Sequence, residues 1–338
     1  MKVARMHGTG DTVKVETIAE PTPPEGWALL KVRSAGVCGT DLHFLEGLLP
    51  PGKIPMILGH EIAGDVAEAP EGSGFKPGDR VSVYNLMNCG DCLYCNKGRD
   101  ELCSDAIGQI GFTHDGGFAE YICAPVRNLI PLPAEVSYAD GAVLACSGLS
   151  AMHAVGLSGI GLTDTVVVNG VGGVGLIVAQ VAKLTGARVI AVADSDEKAA
   201  LAHGVGIEET IVVSGYDGLP DEVRKRTDGR GADAFFELVG TSATTAAGLQ
   251  ALAKTGVFVI IGYTKDHIDV DPLWMVIGEL RLIASVAGAK KDLEDVLNLA
   301  KEGRIRTVIQ SEMPLDRVNE ALSLIRNRKS LGRNVIAF

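Results

Sequence analysis

The pattern of hydrophobic and polar positions changes part-way along the chain. Up to about residue 145, apolar and polar residues alternate in runs such as 28–33 and 80–84, which are bounded by Pro and Gly clusters. Alternation with a period of two, closed by turn residues, is typical of half-buried strands. This part of the chain is therefore predicted to be rich in β-structure and turns.

After about residue 160 the apolar runs become continuous and alternate with helical patterns. The predicted strands are 165–169, 188–193, 209–213, 232–237 and 256–261, with helices over 176–185 and from about 196. Apolar strands that alternate with helices predict a parallel sheet covered on both faces. Further on, the periodicity predicts amphipathic helices over 292–302 and 315–328 and a last strand over 334–338.

One stretch, Gly141–Thr163, contains no Asp, Glu, Lys or Arg. It carries five Gly, three Ser and one His, a composition that fits a membrane helix poorly. We predict a buried helix followed by a turn. No basic segment followed by an apolar one opens the sequence, so the expected location is the cytoplasm, with no membrane partner.

Composition and charge exclude several classes of protein. The 338 residues are 46% hydrophobic and 22% charged, values that indicate a folded chain of roughly two domains. The formal charge of −11 argues against nucleic acid as a partner, because binding to phosphates requires clustered Lys and Arg. The 42 glycines predict many tight turns or close backbone approaches.

Four of the seven cysteines fall within fifteen residues, as Cys89-x2-Cys92-x2-Cys95-x7-Cys103. A reducing cytosol disfavours disulfides, and four thiolates at short spacing can surround one tetrahedral Zn²⁺. A disulfide pair and an iron–sulfur cluster, which also takes four thiolates, stay as alternatives. We predict a closed zinc site that stabilises a lobe and carries out no chemistry.

A second candidate metal site combines Cys38, His60 and Cys146. Cys38 and His60 lie among glycines and polar groups, and Cys146 lies near the start of the uncharged stretch. Two Cys and one His with a water molecule form a recognised catalytic zinc site, but spacing alone leaves ordinary packing equally open. Cys123 lies within an alternating run and is expected to pack in the core.

A glycine motif follows the predicted strand 165–169. It reads Gly170-Val171-Gly172-Gly173-Val174-Gly175 and precedes a helical pattern, and the next strand begins 13 residues after Gly175. Between a strand and a helix, this motif indicates dinucleotide binding. The first glycine permits the turn, the second lets the backbone approach a pyrophosphate, and the last allows close helix–strand packing. A glycine-rich turn without a ligand is the alternative.

An acidic residue at the end of the second strand would bind the adenosine ribose. Asp194 is the candidate, and the alternative is a solvated turn residue that caps the next helix. No Arg follows it directly to receive a 2′-phosphate. NAD is therefore favoured, and NADP is not excluded.

Together these residues resemble the zinc-dependent medium-chain alcohol dehydrogenases. The resemblance extends from Lys2 to Val335 and rests on G-x-C-G-T-D-x-H at 36–43, G-H-E at 59–61, the four-cysteine lobe and the glycine motif. It implies a GroES-like β-barrel catalytic domain, split in sequence around a doubly wound Rossmann domain, with the active site between them. The expected bounds are 1–148 for the catalytic domain with its lobe at about 86–104, 149–285 for the coenzyme domain, and 286–338 for the return segment.

The resemblance also implies roles for individual residues. Cys38, His60 and Cys146 match the catalytic zinc ligands, and Cys89, Cys92, Cys95 and Cys103 match the structural ones. Glu61 matches an acidic residue that approaches the metal as ligands exchange. Thr40 matches a residue whose hydroxyl hydrogen-bonds the substrate oxygen, and His43 matches a residue that relays the proton to solvent. Ser150, in the segment that enters the coenzyme domain, and Arg333, near the coenzyme phosphates, complete the set.

One position departs from the family pattern. Counted from Gly175, the family's ribose-binding Asp falls on Ala193, and Asp194 comes one residue later. A shift of one residue at a strand end redirects the side chain, so the departure bears on the choice between NAD and NADP.

The implied activity is reversible hydride transfer between a small-molecule alcohol or carbonyl compound and NAD(P). The implied enzyme holds two zinc ions per chain and is a homotetramer or homodimer. Alternatives are a sugar-alcohol or hydroxyacyl dehydrogenase, a zinc-independent double-bond reductase, and a non-catalytic dinucleotide-binding protein. Apolar segments at 44–55 and 274–277 favour an apolar or mixed substrate pocket.

Overall fold

The fold is described by a computed structural model that covers residues 1–10 and 12–338. The chain forms two compact units. The first comprises Met1–Leu149 and Ala289–Phe338, and the second comprises Ser150–Gly288. The second unit is therefore an insertion in the sequence of the first.

The described residues form eighteen strands and ten α-helices. The strands are β1 (Lys2–Met6), β2 (Lys14–Thr17), β3 (Trp27–Val37), β4 (Met56–Ile57), β5 (Glu61–Glu68), β6 (Arg80–Val83), β7 (Leu86–Met87), β8 (Gly108–Gln109), β9 (Tyr121–Pro125), β10 (Leu129–Pro131), β11 (Thr165–Asn169), β12 (Arg188–Ala193), β13 (Glu209–Val212), β14 (Ala232–Glu237), β15 (Leu252–Ile260), β16 (Arg281–Ala284), β17 (Ile309–Pro314) and β18 (Arg333–Ala337). The helices are α1 (Gly39–Leu45), α2 (Tyr138–Val143), α3 (Leu149–Ser158), α4 (Gly175–Leu184), α5 (Asp196–Gly204), α6 (Leu219–Arg226), α7 (Ser242–Gln250), α8 (Pro272–Gly278), α9 (Lys290–Lys301) and α10 (Val318–Arg326).

The first unit is built mainly from antiparallel sheet. Its largest sheet has the strand order β10-β6-β5-β3-β18-β17, and β9 also pairs with β3. The alternating run within β3 buries one face in the core with Phe44, Phe118 and Ile336. The last strand, β18, pairs antiparallel with β3, so the return segment completes this sheet.

The second unit contains a parallel sheet of six strands in the order β13-β12-β11-β14-β15-β16. Every residue of β11 is buried, as the continuous apolar run predicts for a strand covered on both faces. The chain runs outward from β11 in one direction through β12 and β13 and in the other through β14 to β16. The gap between the ends of β11 and β14 is therefore the point where the winding reverses.

The predicted class, a doubly wound parallel sheet together with β-rich structure, is confirmed. The uncharged stretch is helical from Tyr138 to Ser158 and is followed by a turn, and although it is long and apolar enough to span a bilayer, 72% of its window is buried within the fold. The predicted helix 315–328 begins as a 3-10 turn and becomes α-helical at Val318. The expectation for Cys123 is wrong in part, because Ile122 and Ala124 point into the core while Cys123, on the opposite face of β9, is half-buried.

Candidate active site and metal centres

Four side chains from three separate segments of the first unit converge on one point. One ligand atom each from Cys38, His60, Glu61 and Cys146 lies within 4.8 Å of the other three. Cys38, His60 and Glu61 are buried and Cys146 is half-buried. The structure therefore brings together the three predicted zinc ligands and the predicted acidic neighbour.

Cys38 is held by the start of α1. It occupies the residue before the helix, and the Asp41 carboxylate accepts a hydrogen bond from its backbone N–H at 2.8 Å. The same carboxylate accepts a second hydrogen bond from the backbone N–H of Gly59 at 3.2 Å. One buried acid thus links the segments that carry Cys38 and His60.

His60 directly precedes β5 and lies in a crowded turn. Gly59 has a positive φ of 88°, and a Cβ there would meet the Phe118 ring at 2.6 Å. Only glycine tolerates this backbone conformation at such close range. The His60 ring packs edge-on against Phe112, with the centroids 5.1 Å apart, so its orientation is fixed by packing on one side and by Asp41 on the other.

Glu61 begins β5 and pairs with Gly36 across the sheet. A Cβ at Gly36 would lie 1.9 Å from Glu61 Oε2, so the glycine leaves the space that the carboxylate fills. Glu61 Oε1 lies 2.8 Å from Arg333 Nη2, and both side chains are buried. Neither Glu61 oxygen forms a well-oriented hydrogen bond with any described residue. Glu61 and Arg333 therefore interact as an ion pair.

Cys146 lies in a π-helical turn, Leu144–Gly148, between α2 and α3. Such a turn inserts an extra residue into a helix and is frequent at functional sites. The Ser147 hydroxyl donates to the carbonyl of Val143, four residues back, inside this turn. The irregular turn carries the Cys146 thiol to the cluster while its neighbours stay buried.

The two thiols of the cluster differ in how readily they ionise. A hydrogen bond from Cys146 lowers the pKa of Cys38 well below its ordinary value and raises the pKa of Cys146. Burial raises the pKa of Glu61, an effect that the Arg333 guanidinium opposes. The raised pKa values of Cys146 and Glu61 favour their neutral forms, so Cys38 is the thiol of this cluster that is held ionised.

This donor set fits zinc. Two sulfurs, an imidazole nitrogen and a nearby carboxylate are the ligand types of catalytic zinc sites, which use three protein ligands and keep one position open. The two Glu61 oxygens have no hydrogen-bond partner among the described residues, and with the two thiols they form a donor set that a divalent cation would satisfy.

The two predicted relay residues lie on α1, directly after Cys38. Thr40 Oγ1 is 3.7 Å from Cys38 Sγ, which places the hydroxyl at the edge of the cluster. His43 is half-buried one turn later, and burial lowers its pKa. A neutral imidazole near physiological pH can both accept and release a proton.

The four cysteines of the lobe also gather around one point, within 4.8 Å of one another. The Sγ of Cys89 lies 3.5 Å from that of Cys103 and 3.9 Å from that of Cys95. Tetrahedral coordination at about 2.3 Å separates the sulfurs by about 3.8 Å, so the spacing fits a single zinc ion. The cysteines are free, and these sulfurs are too far apart for a disulfide.

The glycine motif forms the turn between β11 and α4 in the second unit. A Cβ at Gly175 would lie 1.9 Å from the carbonyl oxygen of Gly170, so the turn closes only with glycine at 175. A Cβ at Gly172, by contrast, would meet no atom of the described residues within 4 Å, so the backbone there is open to a ligand. This combination matches the geometric needs of a pyrophosphate-binding turn.

The other predicted coenzyme residues lie apart from this turn in sequence. Asp194 directly follows β12, is 45% exposed, and forms an ion pair with Lys198 at 2.8 Å. Ser150 lies in the first turn of α3 and is half-buried. Arg333 belongs to the first unit and contacts Glu61 there, and its predicted approach to coenzyme phosphates stays a prediction.

Comparison with known proteins matches the chain to two family models. Residues 24–134 match the alcohol dehydrogenase GroES-like domain, and residues 173–302 match the zinc-binding dehydrogenase family. An NAD-dependent alcohol dehydrogenase of Sulfurisphaera tokodaii is 32% identical over 99% of each chain. A sorbitol dehydrogenase of Halalkalibacterium halodurans is 34% identical over 97% of this chain and 96% of its own. The crystal structure of the Aeropyrum pernix alcohol dehydrogenase superimposes with a TM-score of 0.94 at 30% identity, over all of both chains.

The chain belongs to the zinc-dependent medium-chain alcohol dehydrogenases. The resemblance stated from the sequence is confirmed, as are the GroES-like and Rossmann classes of its two parts. This dehydrogenase is an enzyme that uses zinc and NAD to interconvert alcohols and carbonyl compounds.

Reasoning from the sequence alone assigned no role to Asp41. The signal was present, because Asp41 lies three residues after Cys38, at the spacing of a carboxylate that caps a helix start. Its second partner, Gly59, is eighteen residues away and depends on the fold. The contact between Arg333 and Glu61 was likewise beyond any local pattern.

Proposed function

We propose that Cys38, His60 and Cys146 hold the catalytic zinc of this dehydrogenase and that Glu61 approaches the metal as its ligands exchange. The convergence of these four side chains within 4.8 Å carries the proposal. Bound zinc supplies a Lewis acid that polarises the substrate oxygen. Burial of the site strengthens that polarisation because the surrounding dielectric is low.

Thr40 and His43 move the proton. The Thr40 hydroxyl, at the rim of the cluster, accepts a hydrogen bond from the substrate hydroxyl and passes the proton on, since it is too weak a base to keep it. His43, a half-buried imidazole with a lowered pKa, receives the proton and releases it to solvent. Bound NAD would supply further hydroxyl groups for this proton transfer.

The second unit binds the coenzyme. The turn Gly170–Gly175 receives the pyrophosphate against the start of α4, and Ser150 contributes a hydroxyl. Asp194 accepts hydrogen bonds from the adenosine ribose and repels a 2′-phosphate, so NAD is used in preference to NADP. The second unit, Ser150–Gly288, is accordingly the coenzyme domain, with bounds within three residues of the predicted 149–285, and the catalytic segments flank it in sequence.

Cys89, Cys92, Cys95 and Cys103 hold a second zinc ion with a structural role. Backbone N–H groups of Cys89 and Cys92 donate to the sulfurs of Cys103 and Cys89, at 3.2 and 3.3 Å. Such donors stabilise thiolates, and a four-thiolate shell leaves no position for substrate. The need for reduced thiols in both clusters supports a cytoplasmic location.

The enzyme assembles with copies of itself through the second unit. Helix α8 buries none of its residues, and Leu273, Trp274, Val276 and Ile277 are between 45% and 74% exposed. Tyr263, Ile268, Val270 and Val286 in the same unit are between 36% and 54% exposed, and so many exposed large apolar side chains favour a protein contact. The adjacent strand β16 is an edge of the described sheet, so a second copy can pair with it about a two-fold axis.

The substrate is a small alcohol or its carbonyl product. A screen of primary, secondary, cyclic and allylic alcohols, run with NAD and NADP side by side, tests the activity and the coenzyme preference together. Sugar alcohols belong in the same screen, because a sorbitol dehydrogenase is among the similar proteins. Cys38→Ser is expected to abolish turnover while NADH still binds. Full turnover by that variant would contradict the proposed zinc site.

A further inference from the structure

The ends of the two central strands of the parallel sheet are joined by a buried side-chain contact. Asn169, the last residue of β11, and Glu237, the last residue of β14, are register partners. Asn169 Nδ2 donates to Glu237 Oε2 at 2.9 Å, and both residues are fully buried. The contact lies where the winding of the sheet reverses, which in open parallel sheets is the point at which ligands bind.

The second oxygen of Glu237 organises the turn that follows β14. Oε1 accepts hydrogen bonds from the backbone N–H groups of Val239 at 2.7 Å and Gly240 at 2.8 Å. One carboxylate therefore fixes its own turn and, through Asn169, the residue that precedes the glycine motif. Burial raises the pKa of Glu237, and the hydrogen bonds from Gly240, Asn169, Val239 and the Thr244 side chain oppose this effect by favouring the ionised form.

The two turns are also packed against each other. The Cβ position of Gly170 faces Val239 Cγ2 at 3.1 Å, and that of Gly175 faces Leu238 Cδ1 at 3.6 Å. The backbone N–H of Leu238 donates to the carbonyl of Asn169 at 3.1 Å. A shift of residues 238–240 would therefore be transmitted to the glycine turn.

We propose that Glu237 is a positioning residue for the coenzyme. Its carboxylate joins the turn after β14 and the glycine turn after β11 into one preorganised edge of the parallel sheet. The inference rests on the proposed coenzyme role of Gly170–Gly175. Glu237 acts through Asn169 and the backbone of the two turns, and it need not touch the coenzyme. Without it, binding NADH would first have to order both turns, and affinity would fall by the cost of that ordering.

The chain offers a matched control on the same strand. Asp233, at the opposite end of β14, accepts from the backbone N–H of Thr165, the first residue of β11, at 2.8 Å. It links the same two strands at the edge away from the glycine turn. Removing either carboxylate weakens the β11–β14 pair, but only Glu237 lies beside the turn proposed to bind coenzyme.

The test measures NADH binding to the zinc-loaded enzyme by fluorescence titration, with thermal unfolding recorded for each variant. Glu237→Ala is expected to raise the Kd for NADH about tenfold, as expected for loss of a buried hydrogen-bond acceptor. Asp233→Ala is expected to lower the unfolding temperature but to leave the Kd within about twofold. In turnover assays, Glu237→Ala is expected to raise the KM for NAD and to leave kcat at saturating coenzyme unchanged.

The conservative variant provides the rescue. In Glu237→Gln, Oε1 can still accept from Val239 and Gly240. A half-turn of the Asn169 amide would then present its Oδ1, which has no hydrogen-bond partner among residues 1–10 and 12–338, to the new Nε2 in place of Nδ2. Its Kd is expected to stay within about threefold of the wild-type value. A Gln variant as weak as the Ala variant would overturn the hydrogen-bonding account.

The remaining outcomes are also decisive. An unchanged Kd in Glu237→Ala, or equal changes in the Glu237 and Asp233 variants, overturns the inference. If Glu237→Ala does not fold, Asn169→Ala cuts the same link from the other side, and an unchanged Kd there has the same meaning. Failure of the wild-type enzyme to bind NADH would instead contradict the proposed role of the glycine turn.

Discussion

Asp41 Oδ1 lies 3.7 Å from His60 Nδ1, and the other oxygen of the same carboxylate accepts the backbone N–H of Cys38 at 2.8 Å. The distance to the imidazole is longer than a hydrogen bond, but both side chains are almost completely buried, so their charges are weakly screened. A ligating imidazole usually donates its second ring N–H to a carboxylate, which fixes the ring and raises its basicity. Asp41 is placed to do this for His60 while it anchors Cys38.

Replacement of Asp41 by Asn should weaken the catalytic metal site selectively. We expect Asp41→Asn to lower zinc affinity there about 10- to 100-fold, because the amide carries no charge to orient His60. Metal content after dialysis against a graded chelator measures this. The four-cysteine site in the same sample is the internal control and should keep its zinc. Equal loss from both sites would indicate general unfolding instead.

Replacement of Gly36 by Ala should disturb Glu61. The new Cβ would lie 1.9 Å from Glu61 Oε2, so the carboxylate and its partner Arg333 must move. Overpacking of this kind costs about 1–3 kcal/mol in the free energy of unfolding. Gly39→Ala is the matched control, since a Cβ there meets nothing within 4 Å and favours the helix α1. Chemical denaturation that finds the two variants equally stable would contradict this account of Gly36.

The two cysteine clusters should be separable by mutation. Cys103→Ser is expected to reduce the zinc content from two ions to one per chain and to make the lobe at about 86–104 susceptible to limited proteolysis. Cys38→Ser should also lose one ion, but with an intact lobe and no turnover. Metal analysis, proteolysis and activity on the same preparations distinguish the two. A Cys103→Ser enzyme that keeps both ions would contradict the four-thiolate assignment.

How far the sequence predicts this fold depends on the range of the interactions. The strands of the second unit and the glycine turn were predictable because each depends on neighbouring residues. The need for glycine at 175, for example, follows from a contact with Gly170 five residues away. The four-cysteine lobe was predictable for the same reason, since its ligands span fifteen residues.

The catalytic cluster was harder to predict, because it depends on tertiary structure. Spacing alone left Cys38, His60 and Cys146 open between a metal site and packing, and only the resemblance assigned them. The π-helical turn that carries Cys146 has no local sequence signature. The partner of Arg333 is set by the pairing of β18 and β5 with β3, a long-range register that no local pattern encodes.

The stability of the second unit should depend on the ionisation of Asp233. Burial raises the pKa of this carboxyl, but hydrogen bonds from Arg230 and the Thr165 N–H outweigh burial and lower the pKa below its usual 3.8. A lowered folded-state pKa adds stability above the unfolded value, and that stability is lost as the pH falls below about 4. We expect Asp233→Asn to lower the free energy of unfolding by about 1 kcal/mol near pH 7, with the difference shrinking towards pH 3. A difference that is constant with pH would contradict the ionic role.

The proposed self-association surface should fail when charge is placed on α8. Val276 is 74% exposed, and a glutamate there would put one carboxylate on each copy into a contact of apolar side chains. We expect Val276→Glu to reduce the mass measured by light scattering to a smaller oligomer or to the monomer.

Val212→Glu is the matched control for this surface. Val212 is 46% exposed and ends β13, the strand at the other edge of the same sheet, which the proposed contact does not use. The mass of this variant should equal that of the wild-type enzyme, so that solubility effects of an added charge are separated from loss of the interface. A wild-type enzyme that is monomeric, or a Val276→Glu enzyme of unchanged mass, would remove α8 from the interface. Loss of mass in the Val212 variant alone would move the contact to the opposite edge of the sheet.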